Sequence, residues 1–188
     1  MPRILLQTLF LALALLACNP DRIQYTDKLK QEMADKKVKR LTNADLNEAV
    51  DSWGAQIVAI AEKEAADKLA KGEAATGICS LQDLPKTQAL ATRYGMTISL
   101  LGAADVQNAK LAQKEREVLD AYVYNAEKNL PQSSNIQRIG DTLFVYNAAV
   151  PAENALSKTC FGQQKQQLAV WRLAFPKLEV IRHLKPKK

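Results

Sequence analysis

The chain has one histidine, His183, and three cysteines in 188 residues, and aromatic side chains make up only 6% of it. Each scarcity excludes something. A structural zinc site needs four Cys or His ligands at close spacing, and this chain cannot supply them. Ser80, Ser99 and Ser157 have no histidine at a readable spacing. The Asp/Glu pairs read as ordinary helix-surface charges, so no catalytic residue is assigned and the chain reads as a non-enzyme. The net charge of +6 is basic, but no aromatics interleave with the lysines, which argues against nucleic-acid recognition. No apolar run reaches the ~20 residues that a membrane-spanning helix needs.

What is present begins with Arg3 and a nearly continuous apolar stretch over residues 4–17, broken only by Gln7 and Thr8. It has the length of a signal-peptide hydrophobic region and ends in Leu15-Leu16-Ala17-Cys18. This looks like the lipobox of a bacterial lipoprotein. The resemblance implies that residues 1–17 are a signal peptide and that Cys18 becomes an acylated (palmitate-type) N-terminus. The mature protein is then expected to be lipid-anchored in the envelope, facing the periplasm. Asn19 stands where an inner-membrane lipoprotein often has Asp, so the outer membrane is the expected address. Residues 18–40 read as a tether. Its cations, Lys28, Lys30, Lys36, Lys37, Lys39 and Arg40, are diluted by Asp27, Glu32 and Asp35, which suits a solvated linker. Setting Cys18 aside leaves Cys79 and Cys160. In an oxidising compartment such an even pair is a disulfide candidate, with two inert buried thiols as the plain alternative.

Residues 41–184 have the pattern of one domain, followed by a basic tail at 185–188. Thr42 or Asn43 is placed to cap a helix. Leu46, Val50, Trp53, Ile57 and Ile60 follow at steps of four and three, which assigns them to one helical face, with Trp53 as a core anchor. Pro85 opens a second helix and Gly95 closes it. Residues 96–101 read as a strand and 105–124 as a helix. A two-residue period from Ile136, interrupted by Gly140-Asp141, signals a hairpin running to Val150. Residues 151–166 read as an irregular connection. Two more strands are expected at 168–175 and 177–184. Helices first and strands after, without βαβ alternation or internal repeats, make the fold class α+β with an antiparallel sheet.

Several segments carry a family resemblance. They are Gly77-Ile78-Cys79, Tyr94-Gly95-Met96-Thr97-Ile98-Ser99-Leu100, the residues Asn108, Glu115 and Leu119, the run from Leu143 to Pro151, and Leu156-Ser157-Lys158-Thr159-Cys160-Phe161-Gly162. In order and spacing they resemble a bacterial family of exported PAS-like domains, many of which bind a c-type haem. The resemblance implies a PAS-like sheet with a long N-terminal helix and flanking helices, serving as a sensory or ligand-binding module. Its pocket would be lined by Tyr94, Phe144, Tyr146 and Trp171 beside the two cysteines. The family's haem motif, Cys-x-x-Cys-His-Gly, is degenerate here. Ser157 replaces the first Cys and Phe161 replaces the His, while Cys160 and Gly162 remain. Covalent haem is therefore not expected. An atypical c-type haem protein, with Cys79 as an axial ligand, is the alternative cofactor reading. In that family both cysteine positions flank the haem pocket, so without haem a Cys79–Cys160 disulfide is expected. The expected partners are the membrane, through the lipid, and a small ligand or an envelope protein.

Overall fold

The structure, a computed structural model, describes residues 41–184. Cys18, the tether and the basic tail lie outside the described residues. The first helix, α1 (Asn43–Ala70), starts where the capping chemistry places it. The Asp45 N–H donates to Thr42 Oγ1 at 3.2 Å and the Thr42 N–H donates to Asp45 Oδ2 at 2.9 Å, forming a reciprocal capping box. The buried stripe runs through Leu46, Val50, Gly54, Ile57, Val58, Ala61 and Ala65. Ile60 is 40% exposed and Trp53 only half-buried, unlike the single face expected from steps of four and three. That spacing averages 3.5 residues per turn, and a straight helix drifts about 20° per heptad relative to it. After two heptads Ile60 has rotated off the contact, and small residues have taken over. Gly54 lets the helix press directly on Tyr146, because a Cβ there would fall inside the tyrosine ring's van der Waals shell.

Next come α2 (Ala75–Cys79) and α3 (Pro85–Tyr94). Cys79 thus ends a helical turn. β1 (Thr97–Gly102) leads into a 3₁₀ turn (Ala103–Gln107) and then α4 (Gln113–Glu127). The helix expected at 105–124 is broken because the Asn108 side chain accepts the Lys110 N–H at 3.0 Å and competes with helical bonding. Leu111 is buried ahead of α4 and not within it. β2 (Asn135–Ile139) and β3 (Leu143–Val150) form the expected hairpin around Gly140, whose φ of 59° is left-handed. Residues 151–166 contain a helix, α5 (Ala155–Phe161), capped by Asn154 accepting the Leu156 N–H at 2.9 Å. β4 (Ala169–Pro176) is followed by a helix, α6 (Lys177–His183), where a strand was expected. A short segment with Leu178, Val180 and Ile181 as its apolar residues fits either period, and here only Val180 is drawn into the core.

The four strands form one antiparallel sheet in the order β1-β4-β3-β2. β4 is central and buried on both faces. Trp171, Leu173 and Phe175 join Phe144 and Tyr146 on the face packed against α1. Val170 and Leu101 join Leu168, Leu111, Leu119 and Tyr122 on the face covered by α4. The fold class is α+β, with helices on both sides of an antiparallel sheet.

Candidate functional site

Three packing decisions build a cleft beside the N-terminal half of α1. The first is the end of α3. Gly95 adopts φ 58° and the Met96 N–H returns to the Ala91 carbonyl at 3.0 Å, so the helix stops at Tyr94. The second is the close approach of α6, whose Glu179 side chain covers Gly95 so tightly that no Cβ would fit there. The third is the drift of α1, which leaves Trp53 at the margin of the core. The outcome is a ring cluster. Trp53 and Tyr94 have centroids 5.1 Å apart, Tyr94 and His183 5.4 Å, and Trp53 and His183 6.3 Å in an edge-on contact. The Arg93 guanidinium carbon sits 5.9 Å from the Tyr94 ring centre. With Leu184 these residues line a cleft of about 400 Å³.

His183 Nδ1 lies 2.8 Å from the Glu179 carbonyl oxygen. A carbonyl only accepts, so Nδ1 carries the hydrogen and Nε2 of the neutral ring keeps its lone pair. The cleft therefore combines aromatic faces, one fixed cation, a phenol and an imidazole. That set can hold a planar apolar body by stacking and an anionic group through Arg93. A larger cleft, of about 620 Å³, lies between the end of α4 and residues 151–153 and 165–168. It offers Glu153, Lys165 and glutamines but no ring, so it has less to fix a ligand's orientation.

The residues singled out from sequence separate into two groups. Tyr94 lines the cleft. Phe144, Tyr146 and Trp171 are 0%, 3% and 0% exposed and pack in the core under α1. Trp53, read as a core anchor, lines the cleft with Arg93 and His183. The drift of α1 was the only sequence signal for Trp53. For His183 there was none, because its helix was read as a strand.

Cys79 and Cys160 are joined in a disulfide, with Cα atoms 5.5 Å apart. The other motif positions do not fit a c-type haem. Ser157 is fully buried, and its hydroxyl donates to the Val150 carbonyl at 3.3 Å. The Phe161 ring packs against Gly102 of β1, filling the space where a Cβ would be, and has no lone pair for iron. Neither sulfur of the bridge is free to form a thioether. Among the described residues no group of three or more His, Cys, Asp or Glu could hold a metal, and no helix is long and apolar enough to cross a membrane.

Two buried carboxylates shape the frame around the site. Glu64 of α1 reaches the open N-terminus of α3 and accepts from Lys86 N, Thr87 N and Thr87 Oγ1 at 2.8–2.9 Å. Burial pulls its carboxyl upward, but these hydrogen bonds outweigh it and hold the group below the usual carboxylate range. Glu115 accepts from Ala112 N at 2.9 Å to cap α4, and from Arg172 Nε on β4 at 2.6 Å. Comparison of the chain with protein-family models, with curated proteins and with solved structures gave no match.

Proposed function

We propose that this is a lipid-anchored envelope protein whose domain is a PAS-like binding module for a small planar anion. The observation that carries the binding role is the Trp53–Tyr94–His183 ring cluster lining an open cleft with Arg93 at its side. Aromatic rings are usually buried for packing, so three of them meeting at a cleft beside a cation is the arrangement a ligand uses. The PAS-like reading is supported by an antiparallel sheet backed by a long N-terminal helix. The anchored address rests on the lipobox ending at Cys18. The module does not use covalent haem, because the bridged cysteines, Ser157 and Phe161 leave neither attachment nor ligation chemistry at the degenerate motif.

The binding test is a titration of tryptophan fluorescence with benzoate and indole-3-acetate, against their neutral amides. The acids are expected to quench Trp53 saturably and the amides to bind at least about tenfold more weakly, since they lose the charge-assisted bond to Arg93. Trp53→Leu should abolish the signal change and Arg93→Gln should level acid and amide. Equal responses from acid and amide in the wild-type protein would refute an anion site. The address is tested by Cys18→Ala, which should move the protein out of the detergent phase or stop its maturation. A variant that still partitions with detergent would mean a different anchor.

A further inference from the structure

We infer that the cleft selects aromatic acids that carry a hydrogen-bond donor on the ring, and that His183 Nε2 is the group that receives it. The inference deepens the binding reading of the Trp53–Tyr94–His183 cleft and rests on it. It starts from the one histidine of the chain. The Nδ1–H of His183 is engaged by the Glu179 carbonyl, four residues back along α6, at 2.8 Å. That bond ties the imidazole to its own helix and fixes which nitrogen carries the hydrogen. Cε1 separates the two nitrogens, so an Nδ1 turned toward the α6 backbone leaves Nε2 pointing away from it. Nε2 has no hydrogen-bond partner among the described residues. Its ring is also oriented by its neighbours. It stands edge-on to Trp53, at an interplanar angle of 82°, and tilted by 39° to Tyr94. His183 is half-buried and lines the cleft.

The other lining side chains give that lone pair its meaning. Arg93 and the Trp53 indole offer N–H groups and no acceptor, and the Tyr94 hydroxyl both donates and accepts. Among the lining side chains, Nε2 of the neutral imidazole is the polar atom that accepts without donating. A ligand ring that fills the cleft takes water away from it. If the ring presents only C–H there, the acceptor is left desolvated and unpaired. A hydroxyl or N–H at that point closes the bond instead. The preference for a donor therefore combines a bond gained with a desolvation cost avoided. Tyr94 sets the scale of the ligand. The Arg93 guanidinium carbon lies 5.9 Å and the His183 ring centre 5.4 Å from the centre of the Tyr94 ring. One benzene ring beside Tyr94 thus has the cation and the imidazole within reach of its substituents. Phenolic acids meet both requirements. Unsubstituted aromatic acids and their ring ethers meet only the first.

The test is isothermal titration calorimetry on the mature chain. The ligands are benzoate, 3- and 4-hydroxybenzoate, and the two methoxy counterparts, which keep the oxygen but cannot donate. At least one hydroxy acid is expected to bind about three- to tenfold more tightly than benzoate, and neither methoxy acid to bind more tightly than benzoate. His183→Phe keeps a ring in the cluster and removes the acceptor, so hydroxy and plain acids should converge. Tyr94→Phe removes the other side-chain oxygen and should leave the preference intact. The readout is a ratio between two ligands on one protein, so a general weakening of the cleft does not move it. The inference is overturned if both hydroxy acids bind the wild-type protein no better than benzoate, or if the methoxy acids share the gain. It is also overturned if the preference persists undiminished in His183→Phe or is lost in Tyr94→Phe. Failure of the underlying anion reading shows up separately, in benzoate against benzamide. Equal binding there removes the carboxylate from the ligand class, while 4-hydroxybenzamide against benzamide still measures Nε2.

Discussion

Glu64 shows what one well-placed carboxylate does. It stands in for an N-cap that Leu84 cannot provide, since Leu84 has no side-chain oxygen to offer the α3 N–H groups. Glu64→Ala should strand the Thr87 N–H and hydroxyl in the core and lower stability by about 1–3 kcal/mol, measured by urea denaturation. A carboxyl held below its unfolded value contributes stability above that value and loses it as pH falls through the folded one. Acid unfolding should therefore be steeper in the wild-type protein than in Glu64→Gln over the region below about pH 4.5. Tyr122 has the opposite sign. Burial, and secondarily Tyr146, push its phenol up to about 12. Its hydroxyl donates to the Ser133 carbonyl at 2.6 Å. The unfolded chain ionises first, so this contribution is intact below about pH 10 and is lost between about 10 and 12. Tyr122→Phe should flatten the alkaline stability profile in that window. The Glu115–Arg172 pair is 6% and 16% exposed at its side chains, so Arg172→Met leaves a buried carboxylate and should cost about 3 kcal/mol.

At the scale of elements, the contact between α1 and the sheet depends on a missing side chain. Gly54→Ala would drive a methyl group into the Tyr146 ring and is expected to cost about 1–3 kcal/mol by overpacking. The cause can be checked by a double-mutant cycle. In a Tyr146→Leu background the same substitution should cost markedly less, and strict additivity would mean that the two residues do not meet. The same element explains the cleft, because a helix that sits this close to β3 turns its Trp53 toward α3 and α6.

At the scale of the molecule, the Cys79–Cys160 bridge joins α2 to α5 across 81 residues of chain. Closing a loop of that length in the unfolded state contributes about 4 kcal/mol in the chain-entropy description. Replacing both cysteines by alanine should lower the melting temperature by roughly 10 °C for a protein of this size. Alkylation of the unreduced, denatured domain should find neither thiol free, and two labelled cysteines would contradict the bridge.

Local chemistry alone determined much of the architecture. The Thr42–Asp45 capping box, Pro85 and Gly95 set helix limits correctly, because a cap is a contact between residues a few positions apart. The hairpin at Gly140-Asp141 and the α+β class were legible from period and turn residues for the same reason. An even count made Cys79 and Cys160 a disulfide candidate, and only the resemblance, which sets both beside one pocket, turned the candidate into the expected pairing that the structure contains. Tertiary structure decided the rest. Whether residues 177–183 form a helix or a strand depends on what Val180 packs against, and three apolar residues in a seven-residue segment do not encode that. Whether Phe144, Tyr146 and Trp171 face a pocket or a helix depends on how closely α1 approaches, which is fixed by Gly54 and by the three-layer packing. The cleft joins residues from 53 to 184, brought together by helix drift, a left-handed glycine and the docking of α6, all of them consequences of packing over long sequence distances.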